Sequence, residues 1–98
     1  MLFHITWTTH SPAEESATVS RELFAKWQPP ADVDFKGFYG FADGSGGVAI
    51  VETDTAAGLA RTTAPWNAWL TFSITPILPI EEGVAIGVEA AAWKASVA

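Results

Sequence analysis

Residues 33–52 read VDFKGFYGFADGSGGVAIVE, and their pattern decides the fold. Phe35, Phe38, Tyr39 and Phe41 fill the first half and the apolar run Val48-Ala49-Ile50-Val51 the second, with Gly44-Ser45-Gly46-Gly47 between them. Two strand-like runs around a glycine turn predict an antiparallel hairpin, because glycine reaches the backbone conformations that reverse a strand. The same glycines could be mistaken for a phosphate loop. They lack a Lys-Ser/Thr ending and lie between two strands rather than ahead of a helix, so the turn reading is preferred.

On the N-terminal side, residues 2–9 (LFHITWTT) alternate as a strand, with Phe3, Ile5 and Trp7 on one face and Leu2, His4, Thr6 and Thr8 on the other. Ser11-Pro12-Ala13-Glu14 then signals a helix start: Ser11 as N-cap, Pro12 at the first helical position, Glu14 completing a capping box. The helix is expected from Pro12 to about Trp27, where Gln28-Pro29-Pro30 ends it. On the C-terminal side, Asp54 can cap a shorter helix running through Arg61 to about Ala64, before Pro65. Trp69 to Leu78 reads as a fourth strand whose Pro76 and Pro79 suit a sheet edge. Glu81 to about Ser96 is a last helix, apolar nearly all round, and therefore expected to dock against something.

Length and composition limit the possibilities. With 98 residues there is room for one core, so residues 1–98 are read as a single domain, and 49% apolar residues are ample to fill it. The five basic residues, Arg21, Lys26, Lys36, Arg61 and Lys94, are scattered singly against eleven carboxylates, for a formal net charge of -6. Nucleic acid and anionic membrane are disfavoured partners, since both need clustered cations. The absence of cysteine excludes disulfides, thiolate metal sites and cysteine nucleophiles. The first residues have neither the basic lead nor the apolar run of a secretory signal, and no stretch is long enough to span a bilayer, which makes the cytoplasm the expected location.

The element order β-α-β-β-α-β plus a terminal helix is the split β-α-β pattern of ferredoxin-like folds: an α+β domain with a four-stranded antiparallel sheet and its helices on one face. Such a half-open sheet should alternate apolar and polar residues. Here strand two sets Phe35, Tyr39 and Phe41 against Phe38, strand three Val48 and Ile50 against Ala49 and Val51, and strand four Trp69 and Ile77 against Leu70, Phe72, Ile74 and Leu78. Both faces call for cover. Face-to-face pairing of two sheets, giving a homodimeric α/β barrel, supplies it. The competing arrangement folds the last helix back over the second face of its own chain.

The opening strand, residues 40–54 (GFADGSGGVAIVETD), and Trp66 followed by residues 72–78 (FSITPIL) resemble a small bacterial domain-of-unknown-function family of the dimeric α/β-barrel superfamily. The resemblance implies the fold and the dimer, and leaves the chemistry open, because related families include cofactor-independent monooxygenases, haem-degrading enzymes, isomerases and ligand-sensing domains. Haem-degrading members are known for Asn on strand one, Trp on strand three and His on the second helix. Here the sole asparagine is Asn67, strand three lacks Trp, and His4 and His10 lie off the predicted helices.

Candidate site residues follow from position. His4 on strand one could stand near Glu52 on strand three, and an imidazole oriented by a carboxylate can act as a general base. The plainer reading, a histidine hydrogen-bonded at a sheet end or dimer seam, is favoured. Trp7, Tyr39, Trp66 and Trp69 could line an aromatic pocket between sheet and helices, although cores and interfaces use the same residues. Arg61 could bind a substrate carboxylate or simply suit a helix C-terminus. No metal-ligand spacing is present and no cofactor is called for. The expectation is a homodimeric binding module for a small apolar or aromatic ligand. The alternative is a cofactor-independent monooxygenase or isomerase acting on a small aromatic compound, with His4 as base.

Overall fold

A computed structural model of the chain describes residues 1–10 and 21–98. The helix start expected at Ser11, Pro12 and Glu14 lies outside the described residues. Strand β1 covers Leu2–Thr9, as the alternation of that segment predicts. Residues 21–26 are helical (α1), with the Trp27 N–H still bonded to the Leu23 carbonyl before the prolines intervene. Strands β2 (Asp34–Gly40) and β3 (Gly46–Glu52) form the hairpin. Helix α2 (Ala56–Thr63) passes into a short 3-10 turn, Ala64–Trp66, where Pro65 lacks the N–H that would continue the helix. Strand β4 is Leu70–Ile77, and helix α3 is Ile80–Val97.

The sheet order is β2-β3-β1-β4 with every pair antiparallel. The result is an α+β chain with a four-stranded open sheet and three helices, compatible with a ferredoxin-like fold. Register assigns the faces. On the inner face Ile5 pairs with Ala49 and Ile74, Phe3 with Val51, and Trp7 with Gly47 and Phe72. Ile5, Val33, Ala49 and Val51 are buried there, with Phe3, Trp7, Phe35, Leu59 and Phe72 packed around them. The outer face carries Leu2, His4 and Thr6 opposite Glu52, Ile50 and Val48.

Two details differ from expectation, and a third bears on the competing arrangement of the last helix. Strict alternation along β2 groups Phe35 with Tyr39 and Phe41, but a bulge between Phe35 and Gly37 inserts one extra residue and inverts the parity beyond it. Phe35 and Phe38 therefore share the inner face, opposite Val51 and Ala49, while Tyr39 pairs with Val48 on the outer face. The N-cap of α2 is Thr55 rather than Asp54: the Thr55 hydroxyl accepts the Gly58 N–H at 3.0 Å. Helix α3 neither folds back over the sheet nor buries a single residue.

The hairpin closes through Gly44, whose φ of +76° is the left-handed conformation glycine adopts without penalty. Asp43 Oδ1 clamps the turn, accepting from the Ser45 hydroxyl at 2.6 Å and the Ser45 N–H at 3.0 Å.

Candidate functional site

Between the inner face of the sheet and the helices lies a cavity of about 850 Å3. Its floor is sheet: Ile5, Trp7, Phe35, Phe38, Ala49 and Phe72. Phe24 and Trp27 reach it from α1 and its C-terminal end, Thr62 and Thr63 from α2, and Trp66 from the 3-10 turn. The prolines that stop each helix thus set where these rings stand.

The aromatic residues form a connected wall. Phe24, Phe38, Phe35, Trp27 and Trp66 close a circuit in which successive ring centroids are 5.9, 5.2, 5.9, 5.7 and 6.5 Å apart, and Trp7 joins it at Phe38, 5.6 Å away. These spacings lie in the range where tilted and edge-to-face aromatic pairs attract one another. Trp66 is buried, whereas Phe24 and Phe38 are 54% and 45% exposed, so the wall opens toward solvent on their side.

Polar groups at the cavity are few. The Thr62 hydroxyl donates to the Gly58 carbonyl at 2.8 Å and the Thr63 hydroxyl to the Leu59 carbonyl at 3.3 Å, which leaves their oxygen lone pairs as acceptors. Thr9 and Arg21 complete the set, and Arg21 is the charged residue among the described lining. No carboxylate or imidazole belongs to that lining. Among the described residues no cluster of His, Asp and Glu could hold a metal ion.

The residues anticipated as a site are divided by the sheet. Trp7 and Trp66 line the cavity. Tyr39 borders it from the strand backbone, but its side chain belongs to the outer face, where the ring passes close to Gly37 and is 67% exposed. Trp69, half-buried just ahead of β4, is not among the described lining residues. His4 also stands on the outer face, between Ile50 and Thr75, and Glu52 faces Leu2. Glu52 is within ion-pair distance of Lys36 (4.0 Å), and no hydrogen bond joins it to His4 among the described residues. Lys36 lies 2.7 Å from Asp34, whose hydrogen bond and charge raise the ammonium above its ordinary range, with Glu52 a smaller contribution in the same sense.

Arg61 is exposed and ion-paired at 3.8 Å to Asp32 Oδ2, outside the described lining of the cavity. Asp32 also accepts the Thr55 hydroxyl at 3.1 Å, so Arg61 belongs to a latch joining the start of α2 to the loop before β2. Residue reasoning alone missed Phe24, Trp27, Phe35 and Phe38. The available signal was the i, i+3 pair Phe24 and Trp27 at the end of α1 ahead of an aromatic-rich β2, and the bulge concealed which β2 rings meet it.

No helix among the described residues is long and apolar enough to cross a membrane. A comparison with curated proteins finds no match to this chain. The family model described as domain of unknown function DUF3303 matches residues 1–91, the whole sheet and all but the last turns of α3, and the chain belongs to that family.

Proposed function

We propose that the protein is a homodimeric binding module that holds a small, flat, apolar or aromatic ligand in the cavity between sheet and helices. The connected aromatic wall along one side of a cavity of about 850 Å3 is the observation that supports this reading. Ligand sites span roughly 300–1,000 Å3, mostly apolar with a few polar groups that orient the guest. Thr62 and Thr63 offer acceptors to a hydroxyl or ring N–H, and Arg21 stands at the same cavity.

Catalysis on such a ligand would call for an acid or base beside it, and the described lining contains neither a carboxylate nor an imidazole. Binding is therefore put ahead of a monooxygenase or isomerase using His4, which stands across the sheet. The dimer is supported by apolar surface without cover on α3, and by exposed Tyr39 beside half-buried Val48 and Ile50 on the outer face of the sheet. Strand order and helical connections suit placement of the family in the dimeric α/β-barrel superfamily.

The test is a titration with indole, naphthol and benzoate, following tryptophan emission and thermal unfolding together. Trp7, Trp27 and Trp66 at the cavity make emission a direct readout. Occupancy at 100 times the dissociation constant should stabilise the fold by about 2.7 kcal/mol. If no compound of this shape changes either signal, the binding reading is lost.

A further inference from the structure

We propose that α3 is an exchanged arm: in a pair of these chains, the helix of each copy lies across the outer face of the other's sheet. The inference rests on the homodimer reading above and supplies the contact that would hold the dimer together.

The case starts from the helix itself. Over 18 residues α3 buries nothing, and Ile80, Val84, Val88 and Trp93 are 75%, 59%, 65% and 65% exposed. Helices in proteins draw most of their stability from packing of an apolar face, which α3 lacks here, and Gly83 and Gly87 weaken it further. Pro79, in an extended conformation (φ -55°, ψ 143°), leads the chain directly from Leu78 into the helix. The helix buries nothing against its own body, and the molecule measures 57 × 29 × 20 Å. Its radius of gyration is 17.5 Å, against about 13 Å for a compact chain of this length.

What covers the helix can be argued from charge and shape. A membrane-surface helix needs a cationic polar side, whereas α3 carries Glu81, Glu82 and Glu89 against Lys94. A second copy offers a fitting seat. Val48 and Ile50, with Tyr39 beside them and Leu2 at one end, form a half-buried apolar band on the outer face of β2 and β3, and His4 and Thr6 on β1 bound it with polar side chains. Strands are about 4.8 Å apart, so a band two strands wide is about 10 Å across. That matches the diameter of one helix, about 10–12 Å, better than it matches a second four-stranded sheet.

The area suffices. Half of the surface of a cylinder about 27 Å long and about 10 Å across is about 400 Å2. Two arms with their two seats then bury about 1,600 Å2, the usual extent of a stable protein interface. Each copy holds one uncovered arm and one half-buried seat, and a reciprocal exchange fills both in each copy, closing at two with twofold symmetry.

The experiment compares the full-length chain with the full-length double variant Val84→Glu, Val88→Glu by native mass spectrometry and light scattering. Both positions are exposed on α3 and outside the core, so circular dichroism should show the sheet intact. The expected result is a dimer that the variant weakens by a factor on the order of 100. Because the chain has no cysteine, Val88→Cys can carry a single spin label; in a mixture with isotope-labelled unmodified chain, the amides of Thr6, Val48 and Ile50 should broaden. A dimer that survives the double variant unchanged defeats the arm and leaves the homodimer reading intact. A monomeric full-length chain defeats both. Broadening confined to α3 means that the helices pair with each other, and the sheet seat is then wrong.

Discussion

The Trp7 indole stands directly over Gly47, where any Cβ would overlap its Cζ2 and Cε2 atoms. The pair sits in register across β1 and β3, so the ring crosses the neighbouring strand to reach the cavity floor. Gly47→Ala should cost about 1–3 kcal/mol, since the methyl group also meets the Tyr39 backbone. Gly40→Ala, with no atom within 4 Å of the new carbon, should stay within about 0.5 kcal/mol. Urea unfolding of the two variants checks the contrast, and equal midpoints would show that the close approach is relieved at little cost.

Phe24 and Trp66 touch within the same ring circuit but differ in burial. Trp66→Ala removes a buried ring and should lower stability by about 3–5 kcal/mol. Phe24→Ala, at a half-exposed position, should cost less than about 1 kcal/mol while weakening indole or naphthol binding at least tenfold. Calorimetric titration of the Phe24 variant separates the two effects. Unchanged affinity would place the ligand away from these rings.

At the start of α2, Thr55→Val removes an acceptor for the Gly58 N–H and a donor to Asp32. A loss of about 1–2 kcal/mol is expected. Asp54→Ala should change stability by no more than about 0.5 kcal/mol, because Asp54 is almost fully exposed and, among the described residues, meets only the N-terminal ammonium, at 3.5 Å. Thermal melts of both variants decide which residue is the cap.

The hairpin should carry an acid-side signature. Hydrogen bonds from the Ser45 hydroxyl, and then from the Ser45 N–H, hold Asp43 below the usual carboxylate range. A folded-state pKa below the unfolded one means that the contribution is complete above the unfolded value and lost as pH falls through the folded value. Ser45→Ala should shrink that loss and Asp43→Asn abolish it, with amide exchange in the turn as readout. Lys36 behaves oppositely: raised by Asp34, it contributes fully below its unfolded value and loses the contribution as pH climbs through the folded one. An Asp34→Asn chain whose alkaline stability profile matches that of the unmodified chain would remove this second assignment.

Strand β1 and the hairpin were legible because alternation and turn chemistry are local properties, readable from Phe3, Ile5 and Trp7 or from Gly44. What escaped is non-local. The bulge near Lys36 changes which face Tyr39 takes, and nothing in the residue types around it announces the extra position. Thr55 and Asp54 are both good caps by type, and only the approach of Asp32, distant in sequence, distinguishes them. Trp7 and Trp66 are legible as site candidates, yet the cavity is completed by Phe24, Trp27, Phe35 and Phe38, whose convergence depends on how α1 lies over β2. His4 and Glu52 do share a face, but two positions of register keep them from facing each other directly.

The indoles of Trp27 and Trp66 meet at 5.7 Å with their planes at 75°. Two like chromophores so close and so steeply inclined couple their excited states, and such a pair gives a split band of opposite signs in circular dichroism. The amplitude of that band varies with the angle between the rings, so a guest that turns either indole would announce itself without any label. The Trp27–Trp66 pair thus offers a label-free optical readout for the titration with indole, naphthol and benzoate.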